Sequence, residues 1–194
     1  MQVASEIGFV IPKSTISNNK ISINNITAQC SNDCIIKPIK SGNMNNDKAT
    51  QVIFTSRFNL CPDQISERIE AFPMYIQKNI HKSFDLRCIV VGEFIFCAQI
   101  DSQIDSDSII DWRKSKKYLK HTAHNLPIAI SNKCVEMTKK LGLNYSAIDL
   151  IQDIEGNYVF LECNPNGQWA WLENRLGFPI STKIVELLKD GCNN

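Results

Sequence analysis

What this 194-residue chain lacks narrows it first. It has no CxxC pair: its eight cysteines stand at 30, 34, 61, 88, 97, 134, 163 and 192, and only Cys30 and Cys34 are close together. Structural zinc sites usually draw on two such pairs, or on a Cys pair with a His pair, so zinc is not expected. Thiols inside apolar stretches such as Arg87-Cys88-Ile89 and Phe96-Cys97-Ala98 read instead as small buried hydrophobes. Charge of either sign is not in excess. Lys and Arg number 21 against 20 Asp and Glu, a net charge of +1, so no global field recruits nucleic acid or an anionic membrane and any basic site is local. No apolar run approaches the ~20 residues of a membrane span, and the N-terminus lacks the basic-then-apolar order of a secretory signal. Internal repeats and low-complexity tracts are absent too. The expectation is a cytoplasmic globular protein, with 43% hydrophobic residues sufficient for the core of one large domain or two small ones.

Residues 1–7 read as the last turns of a helix, with Val3 and Ile7 on one face and Gly8 as its stop, yet without an N-cap. The chain therefore reads as starting inside an element. A polar stretch over 14–25 precedes a short strand at 34–37 ended by Pro38, and residues 41–47 read as a polar, flexible loop. A strand over 51–58, a helix from about Pro62 to Ala71 and a strand over 74–78 complete a β-α-β order that suggests a small α+β subdomain. The second half opens with a hairpin, 86–91 and 94–100. Gly92-Glu93 joins its strands, with glycine where a type II′ turn needs it. Both faces of that hairpin are apolar, which places it inside a sheet covered on each side. Residues 111–124 read as a basic loop, 128–141 as an amphipathic helix stopped by Gly142, 145–151 and 158–163 as a second hairpin turning at Glu155-Gly156, and 179–188 as a helix.

The second hairpin serves as a ruler. With a loop of two or four residues centred on Glu155-Gly156, paired positions sum to 311, so Asp149 faces Glu162 and Asn164 follows on the same face. Opposed carboxylates repel unless something neutralises them, and two carboxylates with an amide oxygen form an oxygen-only set suited to Mg²⁺. The bland alternative, solvated side chains on an open face, sits poorly with the apolar Ile148, Leu150, Val159 and Leu161 around them. An odd-length loop would break the register.

Lys37 ends an apolar strand before a glycine-containing loop, where a lysine can reach phosphate oxygens or simply snorkel. Gln77, Lys78, Asn79 and Ile80 join the two halves, a place where a nucleotide base lodges against backbone polar groups. Asp85 and Arg87 share one strand face. They suit a ribose and a phosphate, or equally an ordinary ion pair at the sheet rim. The run Arg113, Lys114, Lys116, Lys117, Lys120, His121 is a solvated loop or a binder of phosphate or acidic substrate residues.

The wording of these segments resembles ATP-grasp enzymes: Phe84-Asp85-Leu86-Arg87-Cys88-Ile89-Val90-Val91-Gly92, then Asp111-Trp112-Arg113, then Tyr145-Ser146-Ala147-Ile148-Asp149. The stretch Leu161-Glu162-Cys163-Asn164-Pro165-Asn166-Gly167-Gln168-Trp169, followed by Gly177-Phe178-Pro179-Ile180, is similar to the ligases that mature microviridins and related graspetides. Those enzymes close ester or amide links between side chains of a ribosomal peptide. The resemblance runs from Gly8-Phe9-Val10-Ile11-Pro12 to the last helix. It implies an α+β ATP-grasp fold of two subdomains clasping ATP, here 9–76 and 77–194 after a helix remnant at 1–8, without the N-terminal domain that such enzymes carry ahead of this segment.

It also implies Asp149, Glu162 and Asn164 as magnesium ligands, Lys37 on phosphates, and Gln77 and Lys78 lining the adenine pocket beside Asn79 and Ile80. Asp85 would meet the ribose, and Arg87 and Arg113 the transferring phosphoryl group. The implied reaction turns Asp or Glu side chains of a precursor peptide into acyl-phosphates that a Ser, Thr or Lys side chain attacks, with ATP and Mg²⁺ as cofactors. Two other readings stand beside it: a non-catalytic nucleotide- or peptide-binding partner of a full-length ligase, and a carboxylate–amine ligase for small molecules. A homo-oligomer is compatible with the sequence, which names no oligomeric state.

Overall fold

Gly92 adopts φ +59° in a two-residue turn with Glu93, and Val91 pairs with Phe94 across it. Only the first turn residue has positive φ, the pattern a type II′ turn requires. From this hairpin the larger sheet grows. The chain, seen in a computed structural model, is described over residues 1–39, 43–46, 49–59 and 72–191. It folds as two compact units, one of residues 1–11, 82–104 and 118–194, the other of residues 12–81 and 105–117.

The helices are α1 (Gln2–Glu6), α2 (Lys20–Gln29), α3 (Ile128–Lys140), α4 (Ala170–Leu176) and α5 (Ile180–Gly191). The strands are β1 (Ser14–Ser17), β2 (Cys34–Lys37), β3 (Asn43–Asn46), β4 (Ala49–Val52), β5 (Ser56–Arg57), β6 (Met74–Lys78), β7 (Lys82–Val91), β8 (Phe94–Ile100), β9 (His121–Ala123), β10 (Tyr145–Asp153) and β11 (Tyr158–Asn164). None of the described helices is long and apolar enough to cross a membrane.

In the first unit five antiparallel strands run in the order β11-β10-β7-β8-β9. Successive side chains alternate between faces. One face sends Leu86, Cys88, Val90, Cys97, Ile148, Leu150 and Phe160 into a core with Ala4, Phe9, Cys134 and Met137 from α1, its following turn and α3. The other buries Ile89, Val91, Ala98 and Ala147 against Leu172 and Ile180 of α4 and α5. The hairpin with two apolar faces is thus an interior pair covered on both sides. Ala4 is fully buried, so residues 2–6 belong to this core rather than trailing from it. The thiols of Cys88, Cys97 and Cys134 are buried as apolar stretches led one to expect; Cys61 and Cys192 lie outside the described residues.

The second unit holds an antiparallel sheet in the order β1-β6-β2-β5 and a separate β3-β4 hairpin. Here the sequence reading needs correction. Residues 14–25 are not a featureless polar stretch: they contain β1 and most of α2. Asn19 caps the helix, its side chain accepting from the N–H groups of Ile21 and Ser22 at 2.9 and 3.1 Å. Ile23, Ile26 and Cys30 line its buried face.

Residues 43–46, read as loop, pair with β4, and the strand expected over 51–58 is divided between β4 and β5. The helix expected over 62–71 lies outside the described residues. Residues 105–117, grouped by sequence with the C-terminal half, join the second unit instead. Asp111 accepts the Thr55 N–H at 3.1 Å and Lys114 reaches the Ser56 hydroxyl at 3.0 Å, long-range ties that the sequence does not announce.

Candidate functional site

Asp149 stands opposite both Glu162 on β11 and Arg87 on β7. Directly paired residues point to one face, so all three share the face that α4 and α5 cover farther along the strands, and Asn164, opposite Ala147, follows on it. The register is reached by a route the ruler did not foresee. Toward the turn the pairs are Leu150 with Phe160 and Gln152 with Tyr158, so the loop is odd in length. A bulge at Leu161 adds the residue that restores Asp149 to its place against Glu162.

The Arg87 Nη1 donates to both Asp149 oxygens, at 2.9 and 2.8 Å, and Nη2 donates to the Gln168 carbonyl at 3.3 Å. Its Nε is buried without a hydrogen-bond partner among the described residues. The Asn164 amide donates to Glu162 Oε1 at 2.9 Å, leaving the Asn164 carbonyl oxygen as an acceptor. Burial pushes the Asp149 carboxyl up to about 7. Arg87 pulls it down, but the facing Glu162 adds to the rise. A carboxylate so placed gains from any cation that settles between it and Glu162. Among the described residues no three His, Cys, Asp or Glu side chains converge as a metal cluster, so a cation here would complete its shell from Asn164, water and ligand oxygens.

The segment after β11 is folded back tightly over this face. Tyr145 donates its hydroxyl to the Gly167 carbonyl, and a Cβ at Gly167 would stand 2.4 Å from Ala147 Cβ and 2.6 Å from Arg87 Nη2. Only glycine fits. Trp169 then leads into α4, whose Leu172 is fully buried in the core beneath.

Asp85, also on the Arg87 face, is buried in an ion pair with Lys82 at 2.8 Å, the two side chains 8% and 7% exposed. In the second unit Lys37 is half-buried with its ammonium 5.9 Å from the centre of the Tyr75 ring. Gln77 is buried and donates to the Tyr75 hydroxyl at 3.1 Å, Lys78 is exposed, and Ile80 is half-buried. Asn79 is held by Asp33, which also receives His81 and Arg57. These four residues, 77–80, end just before the chain passes from one unit to the other at residues 81 and 82. Arg113 makes a two-pronged pair with Asp111, both distances 2.8 Å, in the second unit. Burial raises the Asp111 carboxyl, but Arg113 and the Thr55 N–H outweigh it and hold it below the usual range.

Sequence reasoning missed a cluster in the first unit. The Arg175 guanidinium lies 5.6 Å from the Tyr118 ring centre and 5.5 Å from that of Trp171, and Nη1 lies 3.0 Å from Nδ1 of His121. Nothing local signals this, because Tyr118 and His121 lie more than fifty residues from Arg175 and only the sheet brings them together.

No protein-family model and no curated protein sequence matches the chain. Solved structures do. The RiPP-associated ATP-grasp ligase of Chryseobacterium gregarium, in complex with ADP and a leader and core peptide, is 30% identical with a TM-score of 0.86 over 98% of this chain and 58% of that one. The macrocyclase MdnC of Microcystis aeruginosa MRC, bound to precursor peptide MdnA, is 33% identical with a TM-score of 0.80 and the same coverages. The ATP-grasp ligase PsnB, complexed with minimal precursor, Mg and ADP, is 21% identical with a TM-score of 0.73 and supports the fold. The chain thus spans somewhat under three-fifths of the length of these relatives. Its fold is the ATP-grasp fold, and the proteins it resembles in structure over nearly its whole length are the RiPP-associated ATP-grasp ligases.

Proposed function

We propose that this chain is the nucleotide- and magnesium-binding part of a ligase that activates Asp or Glu side chains of a ribosomal precursor peptide as acyl-phosphates and closes ester or amide links. The observation that carries the reading is the constellation of Asp149 opposite Glu162, with Asn164 on the same face and Arg87 spanning to Asp149. The residues present fit a hard cation. Two carboxylates and an amide carbonyl offer oxygen alone, and the Asp149 carboxyl is held up by burial and by Glu162, a strain that positive charge relieves. Mg²⁺ with ATP, when bound, would supply charge neutralisation and the transferable phosphoryl group.

The chain's own residues do the rest. Asp149, Glu162 and Asn164 hold the cation, while Lys37, Gln77, Lys78, Asn79, Ile80 and Asp85 form the nucleotide-contacting set. Arg87 and Arg113 bring planar, permanently charged donors to the oxygens on which charge develops. For either arginine to act on a phosphoryl group, part of its present pairing with Asp149 or Asp111 must be exchanged for the ligand. No protein nucleophile is needed, because the peptide supplies both carboxylate and attacking side chain.

The test is incubation with Mg·ATP and a peptide bearing Asp or Glu together with Thr, Ser or Lys. Phosphate release matched by loss of one water per new bond, read by mass spectrometry, is expected of the chain or of a longer form containing it. Phosphate release with an unchanged peptide would refute the ligase reading.

A further inference from the structure

Of the four arginines among the described residues, Arg57, Arg87 and Arg113 each face a carboxylate, whereas Arg175 faces no carboxylate of a described residue. It is nonetheless held. Tyr118 and Trp171 place their rings within 6 Å of its Cζ, and His121 presents a ring nitrogen 3.0 Å from Nη1. Rings stabilise a guanidinium and shed water from it, but they accept none of its in-plane N–H groups strongly. Nη2 and Nε of this exposed side chain therefore remain as a two-pronged donor edge. Burial first, and then the charge of Arg175, keep His121 below its ordinary value, so the imidazole is neutral and can accept. A largely buried, neutral histidine thus orients an exposed cation.

Where that edge stands gives it a use. His121 pairs with Ile100, which pairs with Asp85, and Ala123 and Ala98 pair in the next row with Arg87. By strict alternation His121 therefore shares the sheet face of Asp85, Arg87 and Asp149. Two strand spacings separate β7 from β9, so His121 lies about 10–12 Å from Arg87, a span that an extended peptide covers in roughly three or four residues.

We propose that Arg175, set by Tyr118, Trp171 and His121, is a recognition residue that binds a second carboxylate of an acidic peptide, three or four residues from the one presented at Arg87. The proposal rests on the ligase reading above. Inorganic phosphate offers similar oxygens and is the competing source of the anion.

The experiment is titration of the full chain, in saturating Mg·ADP, with a peptide carrying two glutamates three residues apart and with the analogue that keeps one of them and carries glutamine in place of the other, followed by tryptophan fluorescence and calorimetry. Wild type should prefer the glutamate peptide by about tenfold, the scale of charge-assisted hydrogen bonds. Arg175→Gln should lower affinity for the glutamate peptide to that for the analogue, and Arg175→Lys should recover only part of it, with Mg·ADP affinity unchanged in both. Equal binding of the two peptides by wild type, no binding of either, or a preference that survives Arg175→Gln would overturn the proposal. So would displacement by inorganic phosphate at concentrations where the glutamate peptide does not compete. Failure of Mg·ADP to bind wild type would instead remove the nucleotide reading, which the same titrations measure separately.

Discussion

Gly167 is the residue on which the shape of the site most visibly depends. Its Cα lies so close to Ala147 and Arg87 that a methyl group would overlap both; Ala147 Cβ is fixed to the β10 backbone, and Arg87 Nη2, though the tip of a side chain, is tied to the Gln168 carbonyl. Gly167→Ala is therefore expected to cost about 1–3 kcal/mol, the usual penalty for overpacking, and to loosen the Arg87 contact with Gln168. Thermal unfolding measures the first and Mg·ADP affinity the second. Ala147→Gly in the same chain should restore part of both, since Ala147 Cβ is the nearest obstacle; an unaltered melting temperature in Gly167→Ala would show that the segment is not tightly packed. The sequence contained this glycine inside its most informative stretch but not the reason for it, because close approach is a property of three segments folded together. In the same way the shared strand face of Asp85 and Arg87 was legible, while their partners, Lys82 and Asp149 rather than each other, emerged only from the sheet.

Elements were legible where periodicity was strong and local. The two long hairpins and α3 follow from apolar runs punctuated by glycine, and Gly142 at φ +69° ends α3 as its position after Leu141 implied. Helix α2 was not recognised because its sequence is rich in Asn, Ser, Thr and Ile, residues of middling helix propensity, and that masks a correct i, i+3, i+7 spacing of Ile23, Ile26 and Cys30. Its cap carries weight for the same reason. Asn19→Ala should destabilise the protein by about 1 kcal/mol, whereas Asn19→Asp or Asn19→Ser should be nearly neutral. Urea unfolding followed by circular dichroism measures this, and equal midpoints for Asn19→Ala and wild type would show that the helix does not depend on its cap. The β10-β11 hairpin teaches a different lesson. The expected opposition of Asp149 and Glu162 is present, but an odd loop and a compensating bulge produce it where an even loop was assumed.

At the scale of the whole molecule, the α+β class, the two sheets and the ATP-grasp resemblance were all accessible from the sequence, and the solved structures bear out the fold over 98% of the chain. What the sequence obscured was which distant segments travel together. Residues 105–117 join the second unit through hydrogen bonds to Thr55 and Ser56, and Arg175 meets His121 across the first. Contacts of this kind leave no periodic trace. The central claim, that Asp149, Glu162 and Asn164 form a cation site for a bound nucleotide, is tested most directly by calorimetric titration of Mg·ADP into wild type, Glu162→Gln and Asn164→Ala. Glu162 is exposed and Asn164 half-buried, so neither substitution should alter the melting temperature by much. Wild type should bind, and each variant should lose about tenfold or more in affinity, with magnesium dependence weakened in step. Affinity equal to wild type in both variants, in folded protein, would contradict the account.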